Sequence, residues 1–430
     1  MIKVSIIMPS LNVGEYIENA IKSVRNQTLS DIEIICIDAG SSDGTWEIIL
    51  EEAMVDSRII AVKSPVKSYG FQVNMGIDMA NGEYIAVLET DDYVADTMYE
   101  SLYTIADKDK LDYVKCDYST YTTDASGNRE FVERCISSDR YYYDNVFTPL
   151  QHSQVAIDDW YLWNGLYKKE FLVNNSIRFS ETPGAAFQDI GFLHHVSAKA
   201  DRVKYIASSL YRYCVDRDGA SSNSTRTLLF IRKEYGLLLN NVGDMPQQGE
   251  RRLLYIRMAR SFVRACMETS DELIIKPEQN DICKWFCIRL AEAERWGYVK
   301  ESDLPQALRE GYRYLLNPVL GYVAYKNIIK EKLKEFLGTD NRIVIFGCGN
   351  YGKQAGALLI AEGYKIDRYM DNDEALWGKT IEGIPIVSPD YVPKFSSDTR
   401  YIIANEKYGE EIKKQLKEYR EDIMTFLYSL

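Results

Sequence analysis

The first hundred residues alternate short apolar runs with segments of helical periodicity, and this alternation leaves few folds open. "KVSIIMPS" is a β-rich run, and "GEYIENAIKSVRNQ" places Tyr16, Ile17, Ala20, Ile21 and Val24 at helical spacing. "DIEIICIDAGS" is a second strand ending in a turn, and "DGTWEIILEEAM" is a helix with Asp43 as its expected N-cap. "RIIAVKS" and "GEYIAVLE" continue the pattern. Strands connected through helices lie parallel, and a parallel sheet puts its site beyond the carboxyl ends of its strands. Asp38, Glu89, Asp91 and Asp92 all fall at such ends.

The last three form a knot of charge. In "EYIAVLETDDYVAD" a nearly all-apolar strand runs straight into Glu89-Thr90-Asp91-Asp92. One Asp after a strand reads as a turn or helix cap. Three acids in four positions repel one another, raise each other's pKa values and cost stability unless a cation neutralises them. A hard divalent cation takes oxygen ligands, and Mg²⁺ typically combines one or two protein carboxylates with substrate phosphates. The cluster therefore points to phosphoryl or glycosyl transfer, with a metal stabilising charge on a diphosphate.

Composition narrows the classes. With 430 residues and 46% hydrophobic content the chain is expected to form two or three domains. A net charge of −13 argues against a nucleic-acid binder, which needs a basic face. Eight cysteines without a C-x-x-C pair read as buried thiols of a reducing compartment. No signal peptide and no apolar run of membrane-spanning length is present, so a cytoplasmic protein is expected.

Residues 101–225 are mixed, with the aromatic clusters "DRYYYDN" and "DDWYLWNGLYKKEF". From Leu228 to Tyr325 the periodicity is helical, and the lysine-bearing segment Tyr325 to Leu337 reads as an amphipathic linker helix, solvated or touching anionic lipid. "RIVIFGCGNYG" then opens a second α/β unit. Gly347, Gly349 and Gly352 fit G-x-G-x-x-G between a strand and a helix, with Asp371 about twenty residues on, as a dinucleotide fold requires. The expected division is 1–225, 226–338 and 339–430.

The segments "VSIIMPSLNVGEYIENAIKSVRNQT", "IEIICIDAGSSDGT", "NMGIDMANGEYIAVLETDDYV", "WNGLYKKEFL" and "FQDIGF", in this order, resemble the family 2 inverting glycosyltransferases of GT-A fold, over roughly Ile2 to Ser224. The resemblance implies an α/β fold that moves a sugar from a nucleotide-sugar donor, with a UDP-sugar favoured, using Mn²⁺ or Mg²⁺. The implied acceptor is a glycan or lipid-linked glycan of cell-surface polysaccharide synthesis, at the inner face of the membrane with at most peripheral contact. It also implies donor contacts at Pro9, Leu11, Asp38, Lys67, Asn74, Glu89 and Thr90. Metal ligands follow at Asp91, Glu89 and Asp92, and acceptor contacts at Trp163 and Asn164. Three positions depart from the family pattern: Glu89 stands where Asp is usual, Ala39 replaces the second Asp of the Asp-Asp-Gly-Ser turn, and Val73 replaces an Arg before Asn74.

An inverting transfer needs one base and no covalent nucleophile. Asp189 matches the family's base position, with Gln188 in place of the usual Glu, and its flanking Phe187 and Ile190 favour a raised pKa. The competing reading is a helix N-cap. His194 and His195 read as core or surface residues rather than ligands. Arg212 or Arg217 could meet the diphosphate or stay solvated. The rival function is an NAD(P)-linked or nucleotide-sugar-binding protein acting through the C-terminal Gly-rich unit. Against it stands the lack of a hydride-transfer pair, which leaves that unit an accessory domain. A non-catalytic protein with a decayed transferase domain is the third class, and the retained Asp91 and Asp189 argue against it.

Overall fold

The computed structural model describes residues 1–123, 128–215, 226–240, 248–268, 277–316, 334–338, 342–361, 363–394, 399–405, 409–417 and 423–425. Arg217 and most of the linker helix expected at Tyr325 to Leu337 lie outside them. Strands β1 (Val4–Ser10), β2 (Ile32–Asp38), β3 (Ile59–Lys63) and β4 (Tyr84–Val87) are parallel and ordered β3-β2-β1-β4. Helices α1 (Ile17–Arg25), α2 (Thr45–Val55) and α3 (Tyr69–Met79) connect them, as the alternation requires. The cap of α2 differs from expectation. Gly44 occupies it, and Asp43 instead accepts from Thr45 and from the Gly14 N–H, tying the turns after β1 and β2 together.

Both faces of this half-sheet are buried, so its strands read as continuous apolar runs. Alternation still sorts their side chains. Val4, Ile6 and Met8 pack with Ile17, Ala20, Ile21 and Val24 of α1. Ile7, Ile35 and Ile37 pack with Val73 and Ile77 of α3 on the other face. Full burial of each such aliphatic side chain contributes roughly 1.5–3 kcal/mol.

Beyond β4 the sheet becomes mixed. It continues through β8 (Gly165–Lys168), β6 (Tyr113–Thr123), β9 (Val203–Cys214) and β5 (Tyr93–Val94), with β7 (Arg129–Arg134) paired to β6. Helices α4 (Met98–Asp109), α5 (Tyr141–Asp144), α6 (Ser153–Asp158) and α7 (Lys169–Asn174) lie between these strands, and α8 (Asp189–Lys199) precedes β9.

The chain divides into two compact units, Met1–Arg257 and Met258–Leu430. The first runs past the boundary expected at residue 225, taking in α9 (Thr227–Asn240) and the start of α10 (Gln248–Glu268). Buried charge explains this. Lys115 and Asp159 form an ion pair at 2.5 Å, both essentially without solvent contact. Arg257 of α10 donates to the Ala156 carbonyl and, at 3.0 Å, to Ser197 Oγ. Removing one partner from such a network strands a charge, so the helix is bound to the fold it completes.

In the second unit, α10 is followed by α11 (Pro277–Arg295) and α12 (Gln306–Leu315), and Phe262 stacks on Phe286 at 4.6 Å. Its sheet comprises β10 (Arg342–Phe346), β11 (Ile366–Met370), β12 (Thr380–Ile381), β13 (Ile384–Val387), β14 (Thr399–Ile403) and β15 (Ile423–Thr425). The order is β12-β13-β11-β10-β14-β15, parallel except for the β12–β13 hairpin. Helices α13 (Asn350–Ala361) and α14 (Gly409–Lys417) complete it.

Candidate active site

The carboxyl ends of β1, β2 and β4 converge through backbone carbonyls. Thr90, buried, donates its hydroxyl to the Pro9 carbonyl at 3.1 Å. Gln72 of α3 donates to Ser10 and Ile37 carbonyls at 3.0 and 2.7 Å. These bonds hold three strand ends in register, and they place Glu89 and Asp91 at one edge, both half-buried.

Tyr69, which the sequence reading passed over, organises this edge. Its phenol donates to Glu89 Oε1 at 2.6 Å. Burial, Glu89 and then Asp189 push its pKa far above the usual phenol value, so it remains a donor. Its backbone N–H bonds the Gly184 carbonyl, and the Gly184 N–H bonds the Lys67 carbonyl. The segment 180–189 is thereby stitched to the start of α3. Gly70 allows the approach: a Cβ there would lie 1.9 Å from the Ser180 carbonyl oxygen. The available sequence signal was position, since Tyr69 follows the third strand just as the acids follow the fourth.

Asp189 is the first residue of α8, preceded by Gln188 as N-cap, and no side-chain cap bond is present. Asp189 is thus one residue inside the N-cap position, and its carboxylate meets the backbone N–H groups of Asp189 and Ile190 in the first turn. Its carboxyl is half-buried, and desolvation lifts its pKa to about 6, with Glu234 adding repulsion. The preceding turn is strained: Phe187 has φ +65°, a conformation that costs a non-glycine residue on the order of 1–3 kcal/mol. Gln188 holds the turn through Thr182 and Gly184 carbonyls at 2.7 and 2.9 Å. Glu234 of α9, a second residue missed in the sequence, accepts from Ser180 and Thr182 at 2.6 and 3.1 Å.

Several expected contacts are spent inside the fold. Asp92 is buried; it accepts from Tyr211 at 2.7 Å and from the Cys214 N–H at 2.8 Å. Desolvation and the neighbouring Asp91 raise its pKa well above the carboxylate range. It clamps β9 to the acid turn and is not placed as a metal ligand. Asp38 is buried and accepts from Gly40, Ser41 N–H and Ser41 Oγ, forming its own turn. Asn74 is buried and exchanges bonds with Phe179 at 3.0 Å, fixing the irregular segment before Asp189. Trp163 is buried in a stack with Tyr211 at 4.1 Å and Tyr161 at 4.7 Å. Asn164 is buried, and its amide donates to the Cys116 carbonyl at 2.8 Å. Neither offers an acceptor a surface; both brace the wall behind the acids. Pro9 is buried, Leu11 half-buried, and Lys67 exposed at the rim. Arg212 is held by Ser119 and the Ser209 carbonyl at 3.0 and 2.7 Å.

In the second unit, Gly347 has φ +115°, and a Cβ on Gly352 would lie 1.8 Å from the Gly347 carbonyl oxygen. The first and third glycines thus serve the turn and the close helix approach. A cavity of about 490 Å³ opens there, lined by Gly347, Asp371, Asn372, Asn405 and Glu411 among others. Asp371 accepts the Cys348 and Asp373 N–H groups at 2.8 and 3.0 Å, so part of its capacity closes the turn.

Known proteins resemble this chain in sequence and fold. Residues 5–160 match the model of glycosyl transferase family 2, and residues 339–423 match that of C2185-like, N-terminal. EpsJ, an uncharacterized glycosyltransferase of Bacillus subtilis, is 34% identical over 49% of this chain, and the match spans 60% of its own length. Glycosyltransferase GlyG of Streptococcus pneumoniae is 30% identical over 65% of this chain and 93% of its own. The crystal structure of S. aureus TarS 1-349 in complex with UDP-GlcNAc superposes with a TM-score of 0.57 at 16% identity, covering 78% of this chain and 92% of that one. The shared fold is GT-A, and with acids at the end of β4 and a relative matched over nearly its full length, the chain belongs to the family 2 glycosyltransferases.

Proposed function

We propose that the first unit transfers a sugar, with inversion, from a nucleotide-sugar donor to a hydroxyl of a glycan or lipid-linked glycan in cell-surface polysaccharide synthesis. The observation that carries this reading is the Tyr69 link: one phenol bonds Glu89 at the end of β4 and lies in the field of Asp189. In the single displacement, Asp189 takes the acceptor proton. The acceptor oxygen then bonds the anomeric carbon as the bond to the diphosphate breaks. A base lifted to about 6 is largely ionised at neutral pH yet basic enough to accept a proton.

Glu89 and Asp91 offer only hard oxygen donors, a set that fits Mn²⁺ or Mg²⁺. Bound there with the donor, such an ion supplies charge neutralisation for the leaving diphosphate. Asp92 is left out of this set because its oxygens serve Tyr211 and Cys214. A UDP-sugar is the favoured donor: the complex of TarS, which has this fold, holds UDP-GlcNAc. The second unit we read as an accessory Rossmann-like domain, its cavity at the crevice between β10 and β14. No helix among the described residues is long and apolar enough to cross a membrane.

The test is donor hydrolysis and binding across UDP-sugars with and without Mn²⁺. Metal-dependent release of UDP, abolished in a folded Asp91→Asn variant, is expected. Undiminished Mn²⁺-dependent affinity in that variant would overturn the ligand assignment, and the absence of any donor turnover in the wild-type chain would overturn the transferase reading.

A further inference from the structure

Helix α8 carries two adjacent histidines on the turns after Asp189, and they meet the first turn of α10. One ligand atom each from His194, His195 and Glu250 lie within 4.8 Å of one another. His194 is 1% exposed, and neither of its ring nitrogens has a hydrogen-bond partner. A buried neutral imidazole always carries at least one N–H donor, and buried polar groups are as a rule hydrogen-bonded, so two bare nitrogens call for a partner. Glu250 is 2% exposed, and its carboxylate is met at 3.1 Å by the Lys199 ammonium.

From this geometry we infer that His194, His195 and Glu250 form a second metal site, separate from the acids of β4, which takes Zn²⁺. Two imidazole nitrogens and one carboxylate oxygen are a donor set suited to zinc, whereas Mg²⁺ and Ca²⁺ prefer oxygen alone. Zinc–ligand bonds of about 2.0–2.2 Å place tetrahedral ligand atoms about 3.3 Å apart, so small side-chain adjustments close the triad. Burial and the neighbouring His195, Arg257 and Lys199 favour neutral His194, the form that ligates.

Lys199 is the competitor. Its side chain is 30% exposed, so the ammonium can swing into solvent when the ion takes Glu250. The two cations nearby, Lys199 and Arg257, weaken the site, and Arg257 stays engaged with Ala156 and Ser197. Occupied, the site would join the first turn of α10 to the helix whose first residue is Asp189. It would hold α8 without touching substrate.

The site is tested with Zn²⁺ alone, in the full chain carrying Asp91→Asn to silence the first metal site, and without nucleotide. Calorimetry should find one Zn²⁺ per chain, with the melting temperature raised by the ion. His195→Ala and Glu250→Gln should each weaken binding at least tenfold, while Lys199→Met, which removes the competing ammonium, should strengthen it. Substitution by Co²⁺ should give visible absorption bands of a four-coordinate site, absent in His195→Ala. Circular dichroism confirms that each variant is folded. His195 is only half-buried, so His195→Ala keeps the test valid if Glu250→Gln fails to fold. Equal Zn²⁺ affinity in wild-type and His195→Ala proteins, or weaker binding in Lys199→Met, would overturn the proposal.

Discussion

The phenol of Tyr69 donates to Glu89 across 2.6 Å, joining the start of α3 to the acid turn of β4. A hydrogen bond to a charged group contributes roughly 1.5–3 kcal/mol, and here it orients a carboxylate assigned to donor and metal. Tyr69→Phe should leave the fold intact and reduce Mn²⁺-dependent donor affinity roughly tenfold or more. Calorimetry with Mn²⁺ and UDP checks it; unchanged affinity would remove Glu89 from the site.

The proposed base, Asp189, would tie catalysis to pH. Lifted to about 6, it should make transfer rise with pH through that value and level off above it. Asp189→Asn should lower transfer roughly a hundredfold or more and abolish that limb, with donor affinity near wild type. Stability should move the other way. A carboxyl whose folded pKa exceeds its unfolded one favours folding below the unfolded value and loses that contribution as pH rises through about 6. The Asn variant should therefore melt higher than wild type at pH 7–8, with the gain gone near pH 3. A lower melting temperature at pH 8 would show that the carboxylate is structural.

Asp92 separates clamp from ligand. Asp92→Ala leaves the Tyr211 hydroxyl and the Cys214 N–H without their acceptor, at a cost on the order of 1–3 kcal/mol for each. Asp92→Asn retains an acceptor oxygen and should fold. Mn²⁺ affinity in the Asn variant should fall by no more than about tenfold, the lower end of the loss when a residue behind the ligands is changed and its acceptor oxygen is kept. A loss of a hundredfold would return Asp92 to the metal.

Gly352→Ala probes the second unit. Its Cβ would press on the Gly347 carbonyl oxygen at 1.8 Å, so the turn must shift, at an overpacking cost of roughly 1–3 kcal/mol. Scanning calorimetry should show the melting of the second unit lowered, while metal-dependent donor hydrolysis keeps its rate. Asp371→Ala should likewise leave the catalytic constant unchanged. Lost turnover in a folded Asp371→Ala protein would make that unit part of the active site.

The sequence by itself determined the first four strands and the acids at their ends. Period-2 and period-3.6 patterns are local, and they were enough to predict four parallel strands, two of their three connecting helices and acids at the end of β4. The Gly-rich turn was legible for the same reason, because Gly347 and Gly352 answer to backbone conformation and close approach within a few residues. Only the tertiary structure decided which polar side chains remain for chemistry. Asp92 meets Tyr211 and Cys214 about 120 positions away, and Asn74 meets Phe179 across 105. Trp163, Asn164 and Asp38 are likewise spent on packing or on turns, although their positions in the motif gave no sign of it. Tyr69 and Glu234 entered the site through partners 20 and more than 50 residues distant. Burial makes hydrogen-bond satisfaction obligatory, and the partners that satisfy a buried group are chosen by where the chain returns, which no local pattern encodes.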